Sequence, residues 1–199
     1  MSAINRYIRF IQETELLKGV LRSASHSSGR QESTAEHSWR LALLAAVILE
    51  EYPELDSRKT LIMCLIHDLG EIYDGDIPAI MLPDAAAKFE DERRAVEKVL
   101  SFLPAELRAK YMNIWLEYAQ VSSKEAQLVK ALDKAETIIQ HNQGKNEEDF
   151  DYEFNLEYGK EYFNFDELFV ELRSILDQET SRVREINRTR GTDYGDGTD

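Results

Sequence analysis

The chain has 199 residues, with 24 Lys and Arg against 38 Asp and Glu, for a formal net charge of −14. That length suffices for one domain with a substantial core. The acidic balance excludes a nucleic-acid coat, which needs a basic face, and one cysteine excludes an intramolecular disulfide scaffold. The N-terminal stretch through Gly19 carries charges every few positions and lacks the apolar core of a signal peptide. The longest apolar run, Leu41–Leu49, falls well short of the roughly 18 residues that span a bilayer. A soluble cytoplasmic protein is expected, with no membrane and no nucleic-acid polymer as partner.

Taken in chain order, the apolar period is helical nearly throughout. Ile4, Tyr7, Ile8, Ile11 and Leu16 recur at three- and four-residue steps and predict a helix over about 3–18, stopped by Gly19. Residues 19–34 hold five Ser, Gly29 and no periodicity, and read as loop. Ser33 with Glu36 is a capping-box pattern opening a helix to about Glu51. Its stretch Leu41–Leu49 is apolar on all sides and should be central. Asp56 or Ser57 caps a third helix, through Leu61–Ile66, which ends in His67-Asp68-Leu69-Gly70. A turn-rich connection spans 71–83, and a charged surface helix covers 84–102. Pro104 opens the next helix, to about Ala119. Ser122 with Glu125 suggests a second capping box, for a helix over 123–141 with Leu128, Val129, Leu132, Ala135 and Ile139 inward. Phe165, Leu168, Phe169, Leu172 and Ile175 define a last helix to about Asn187. The reading is all-α: one domain over 1–189 and a disordered, Gly- and Asp-rich tail over 190–199.

Polar residues interrupt this pattern where apolar ones belong. His67-Asp68 closes the most hydrophobic helix, His37 lies on the helix of Leu41–Leu49, and Asp133 stands in an apolar face. Burying such groups unpaired costs several kcal/mol for a charge. A divalent metal would compensate, since imidazole nitrogens and carboxylate oxygens suit such ions. Adjacent helical residues point about 100° apart, so His67 and Asp68 meet one ion only near a helix end. The Gly70 break supplies one, and His37 and Asp133 are the candidate further ligands.

The local contexts are more specific than the dipeptide. They read Ser33-Thr34-Ala35-Glu36-His37-Ser38-Trp39, then Ile66-His67-Asp68-Leu69-Gly70-Glu71, then Asp74-Gly75-Asp76, then Leu132-Asp133-Lys134. Together they resemble the HD superfamily of metal-dependent phosphohydrolases, and within it the small 5′-deoxynucleotidases, over about residues 4–175. The resemblance implies a helical HD-type domain with its metal site between central helices. It implies that His37, His67, Asp68 and Asp133 bind one divalent ion, whether Mn, Co, Fe, Ni, Mg or Zn. It implies that Glu71 and Asp76 handle water and leaving group, and that Arg22 binds phosphate. Ser23 stands where a compared family member has a nucleoside-contacting Trp, which places Ser23 among the expected substrate-binding residues. A family pocket segment falls near Glu117-Tyr118. A homodimer is also implied.

The chemistry of the residues agrees. A metal polarises a phosphoryl oxygen and lowers the pKa of water, to about 7 in the best zinc case. Glu71 lies four residues past His67 and can orient or deprotonate that water. Asp76, on a Gly-containing loop, can protonate the leaving 5′-oxygen and touch substrate. Arg22 and Arg30 bracket a loop suited to clamp phosphate. The expected substrate is a (deoxy)nucleoside 5′-monophosphate. The alternatives are a tri- or pyrophosphohydrolase and a non-catalytic metal- or nucleotide-binding module. His26 reads as a loop residue, His141 as a helix-end residue near terminal carbonyls, and Cys64 as inert core. Trp39 and Trp115 read as packing residues, and the acids of 147–153 as a solvated loop.

Overall fold

A computed structural model describes residues 2–81, 84–147 and 149–192. Among them are helices α1 (Ala3–Thr14), α2 (Thr34–Ile48), α3 (Ser57–Ile66), α4 (Ala85–Leu100), α5 (Ala105–Gln120), α6 (Lys124–Gln143), α7 (Tyr152–Glu157) and α8 (Glu167–Thr192). The architecture is all-α, as the periodicity predicts. One departure is a two-stranded antiparallel hairpin, β1 (Leu21–Ser25) with β2 (Gln31–Ser33), in the segment read as loop. Its Ser-rich strands lack the alternation that marks a strand. They are held by pairing with each other and against α6.

Helix caps follow local chemistry. Ser33 and Glu36 form the reciprocal capping box of α2, and Asp56 accepts from the Lys59 backbone N–H to cap α3. The α6 cap is Ser123, which accepts from the Ala126 N–H; Ser122 does not serve. Glu125 instead pairs with Lys59 of α3 at 2.9 Å, so a cross-helix ion pair displaces the second capping box. Helix α8 runs on to Thr192, past the expected stop near Asn187; the remainder of the expected tail, 193–199, lies outside the described residues.

The central helix is α6, not α2. Helix α6 packs against α2, α3, α5 and α8 and buries Leu128, Val129, Leu132, Ala135 and Ile138, while Ile139 is half-buried. Each such large side chain contributes about 1.5–3 kcal/mol of transfer free energy, an upper estimate for folding. Helix α2 buries Leu41 and Ala45 but leaves Trp39, Leu43 and Val47, at steps of four, exposed on one outward stripe. Trp39, 61 % exposed, therefore does not pack into the core, whereas Trp115 is buried. An all-apolar run thus need not be central: α2 covers the core with one side only.

Two glycines permit close approaches that place the site. A Cβ on Gly144, just past α6, would stand 2.3 Å from the Ser25 carbonyl oxygen. Its absence lets the hairpin seat on the end of α6, where the Gln140 side-chain amide donates to that same carbonyl at 2.7 Å. A Cβ on Gly70 would meet the Glu92 side chain at 2.6 Å, so glycine lets α4 close over the turn after α3. No helix among the described residues is long and apolar enough to cross a membrane.

Candidate metal centre

Four side chains from three helices converge at the end of α3. His37 Nε2 lies 3.1 Å from Asp133 Oδ1 and 3.8 Å from Asp68 Oδ2. His67 Nε2 lies 3.0 Å from Asp68 Oδ2 and 3.9 Å from Asp133 Oδ1. Ligand atoms held at about 2.0–2.2 Å by one divalent ion stand roughly 3.0–3.5 Å apart; His37, His67 and Asp133 form a group that could hold one, and Asp68 Oδ2 stands against both imidazoles. His67 follows the last helical residue of α3, and Asp68 has left helical geometry (φ −97°, ψ 12°). This break lets two consecutive residues face one point.

The donor atoms are prepared for an ion. His67 donates from Nδ1 to the Cys64 carbonyl at 2.9 Å, which orients the ring with Nε2 toward the site. That Nε2 is buried with no aligned hydrogen-bond partner among the described residues. Such an orphan costs about 1–3 kcal/mol, which a bound cation would repay. His37 is wholly buried and donates from Nδ1 to Glu136, again directing Nε2 inward. Asp133 accepts on Oδ2 from the Tyr118 hydroxyl at 2.8 Å and from Lys134 at 3.0 Å, leaving Oδ1 toward the imidazoles. These outer contacts fix tautomer and orientation, as metal sites require. Glu32 and Glu136 also approach His37. Arg22 and Arg40 already neutralise them, at 3.5 and 3.0 Å.

Burial and Arg22 oppose charge on the His37 imidazole, but Asp133 and Glu136 outweigh them and hold its pKa at about 9. A metal bound at Nε2 would have to displace that proton, so its uptake would release acid and strengthen with pH. Burial disfavours ionisation of Asp68, yet His67 and His37 outweigh it and keep the carboxyl well below its usual range.

Arg22, on β1, donates from Nη2 to Thr137 Oγ1 at 3.0 Å and stands 3.6 Å from Asp68 Oδ2. Burial works against its charge, but Asp68, Asp133 and Asp76 more than offset this. Glu71 is buried in the turn after α3 and accepts from Thr34 Oγ1 at 3.2 Å. Burial first, then the charges of Asp68 and Asp76, push its carboxyl up to about 10. A cation beside Asp68 would act in the opposite sense.

A cavity of about 720 Å³ opens on this cluster, within the range of small-molecule sites. Arg22, Ser23, His67, Asp68, Glu71, Asp76 and Asp133 all line it, and His37 lies buried behind them. Arg30 does not reach it. Its guanidinium is exposed and pairs with Glu36 at 2.7 Å on the outer side of the hairpin, so it clamps the capping box rather than a ligand.

The matching comparisons bear on this geometry. The HD-domain family model matches residues 14–173. The chain belongs to the HD-domain family. Among HD-domain relatives, human 5′-deoxynucleotidase HDDC2 is 34% identical over 136 residues, 67% of this chain and 65% of that protein. The chain therefore matches slightly under two thirds of that relative's length. The Saccharomyces cerevisiae 5′-deoxynucleotidase YBR242W is 31% identical over 180 residues, 86% of this chain and 69% of that one. Among solved structures, a predicted metal-dependent phosphohydrolase from Magnetospirillum magnetotacticum MS-1 superposes with TM-score 0.66 at 28% identity, covering 96% of this chain and 95% of that one.

Several site residues escape a reading of the sequence by apolar periodicity. Asp133, Glu136, Thr137, Gln140 and His141 recur at steps of three and one along α6, all buried. That polar stripe at helical spacing on an apolar helix is the signal that would expose Glu136 and Thr137. His141 does not address terminal carbonyls through its ring. It is buried, contacts Asn155 Oδ1 at 2.8 Å and lines the cavity. The acidic segment near 150 is not only solvated loop, since it leads into α7, and Phe150, Phe154 and Tyr158 form an aromatic wall of the cavity. Replacing Glu136 by Gln should leave the fold intact and weaken metal affinity by 10–100-fold, because Gln cannot hold the His37 N–H as a carboxylate does. Calorimetric titration with Mn²⁺ or Co²⁺ measures this, and an unchanged affinity would remove Glu136 from the metal-supporting layer.

Proposed function

We propose that the protein is a metal-dependent phosphohydrolase, a 5′-nucleotidase that releases phosphate from (deoxy)nucleoside 5′-monophosphates. The observation that carries this reading is the convergence of His37, His67, Asp68 and Asp133 beside Arg22 and Glu71 in one cavity. The relatives named 5′-deoxynucleotidase support it. His37, His67, Asp68 and Asp133 would hold one divalent ion, which supplies Lewis acidity to the phosphoryl group and lowers the pKa of water. Arg22 binds the phosphate through its guanidinium fork. Glu71 takes the proton of the attacking water. The bond from phosphorus to the 5′-oxygen breaks, and Asp76 returns a proton to that oxygen, so nucleoside and inorganic phosphate leave. The aromatic wall and Ser23 border the nucleoside.

The test is release of inorganic phosphate from a panel of deoxy- and ribonucleoside monophosphates with Mn²⁺ or Co²⁺. Release that stops on chelation is expected. No release from any monophosphate, or release of pyrophosphate or tripolyphosphate from nucleotides instead, would overturn the reading. Ser23, smaller than Trp, lines the cavity, so on this reading discrimination against the ribonucleotide should stay below about 100-fold in kcat/KM. A larger ratio would assign selectivity elsewhere.

The occupant we infer for the exposed stripe Trp39, Leu43 and Val47 is a second copy of the chain, giving a homodimer in the reducing cytoplasm that one free cysteine suits. Light scattering should give twice the chain mass, falling to one chain mass in Leu43→Glu. A monomeric wild type would sink this inference.

A further inference from the structure

Four cationic side chains line the cavity: Arg22, Lys88, Lys130 and Lys134. Three are committed to protein partners. Arg22 faces Asp68 and Glu32, Lys88 pairs with Glu92 at 3.3 Å, and Lys134 serves Asp133 and Tyr158 at 3.0 and 2.9 Å. Lys130 differs. Among the described residues its ammonium has no carboxylate within 4.0 Å and no hydrogen bond; it rests 3.9 Å over the ring of Tyr118. Lys130 is half-buried, and its ammonium carries three donors with no hydrogen-bond acceptor among the described residues. Tyr118 is the residue that orients Asp133, and Lys130 precedes Asp133 by one helical turn. The free cation therefore stands beside the candidate metal ligands, on a different element from Arg22.

We propose that Lys130 is a second phosphate-binding residue of this site, donating from Nζ to a phosphoryl oxygen of the substrate from α6 while Arg22 approaches from β1. The proposal rests on the phosphohydrolase reading and adds a residue to it. A cation–π contact with Tyr118 holds the stem in place without neutralising the charge, which leaves the ammonium for an anion. Burial and the nearby Lys134 lower its pKa to about 8, opposed by Asp133, Asp68 and Glu92. An arriving phosphate dianion would favour the charged form.

The test is calorimetric binding of inorganic phosphate and, separately, of a deoxynucleoside without phosphate to the Mn²⁺-loaded full chain. Lys130→Met keeps an apolar stem over Tyr118 and removes the charge; Lys130→Arg keeps the charge. Lys130→Met should weaken phosphate binding about tenfold or more, the loss of one charge-assisted hydrogen bond. Deoxynucleoside affinity and the melting temperature should hold, and Lys130→Arg should restore most of the phosphate affinity. A folded Lys130→Met with unchanged phosphate affinity overturns the proposal. So does an equal loss for phosphate and deoxynucleoside, which marks a structural role, or a wild type that binds no phosphate. Phosphate binding needs no turnover. A wild type that binds phosphate through Lys130 yet hydrolyses no nucleotide would overturn the functional reading alone.

Discussion

Asp68→Ala should lose both metal and activity. The variant removes the carboxylate that stands 3.0 Å from His67 Nε2 and 3.8 Å from His37 Nε2, leaving Asp133, among the described residues, as the acid that faces both rings. Three protein donors bind a divalent ion more weakly than four, and the lost charge adds to that deficit. The variant also frees Arg22, 3.6 Å from the same oxygen, to swing away from the phosphate position. Metal content of the purified protein should drop from about one ion per chain to a small fraction. Phosphate release at saturating Mn²⁺ should fall by more than 100-fold, since both the ion's Lewis acidity and the positioned guanidinium are compromised. An Asp68→Ala protein that keeps full metal content and turnover would exclude this cluster as the active centre.

Glu71→Gln should have two opposite effects. Activity should fall by about 10²–10⁴-fold, the usual worth of a positioned proton-transfer group. Metal content should be unchanged, because Glu71 is outside the four-donor cluster; this separates it from Asp68→Ala. Stability of the metal-free protein should rise. Burial, Asp68 and Asp76 push the Glu71 carboxyl from 4.5 to about 10, so it stays protonated in the fold where the unfolded chain would ionise it. Such a group contributes stability fully present below about pH 4.5, which is lost as pH climbs toward 10. Gln is neutral in both states and carries no such dependence. The melting temperature of chelator-treated Glu71→Gln should therefore exceed that of wild type, by more at pH 9 than at pH 6. Each kcal/mol corresponds to about 2–4 °C in a chain of this size. Equal melting temperatures across that interval would contradict the buried, proton-holding environment assigned to Glu71.

Both outcomes express one tension. A site that gathers Asp68, Glu71, Asp76 and Asp133 around two imidazoles is electrostatically costly without a cation. Arg22, Lys134 and Arg40 offset part of that cost through Asp68, Asp133 and Glu136. Selection for such a cluster over apolar packing is the expected mark of function rather than stability.

Much of this was legible in the residues. Helical periods, the capping box of Ser33 and Glu36 and the Asp56 cap depend on neighbours within one turn, so the chain order displays them directly. The convergence of His37, His67, Asp68 and Asp133 was readable because a polar residue in an apolar helix needs a partner, and few partners were available. The rest depended on contacts distant in sequence. The hairpin seats on α6 where Gly144 lets the Ser25 backbone lie close, which no local propensity in 21–33 encodes. Arg30 shares a loop with Arg22 in the sequence, yet Glu36 captures it on the outer face while Thr137 and Asp68 hold Arg22 inside. Hydrophobicity said that α2 and α6 were both apolar, but only packing decided which is enclosed: α6 has neighbours on every side, and α2 leaves Trp39, Leu43 and Val47 outward. Local chemistry names the elements and the rare residues that need explaining. Which side chains share one cavity, and which cation there has no carboxylate partner among the described residues, follows from three-dimensional competition for contacts that lie more than a hundred residues apart along the chain.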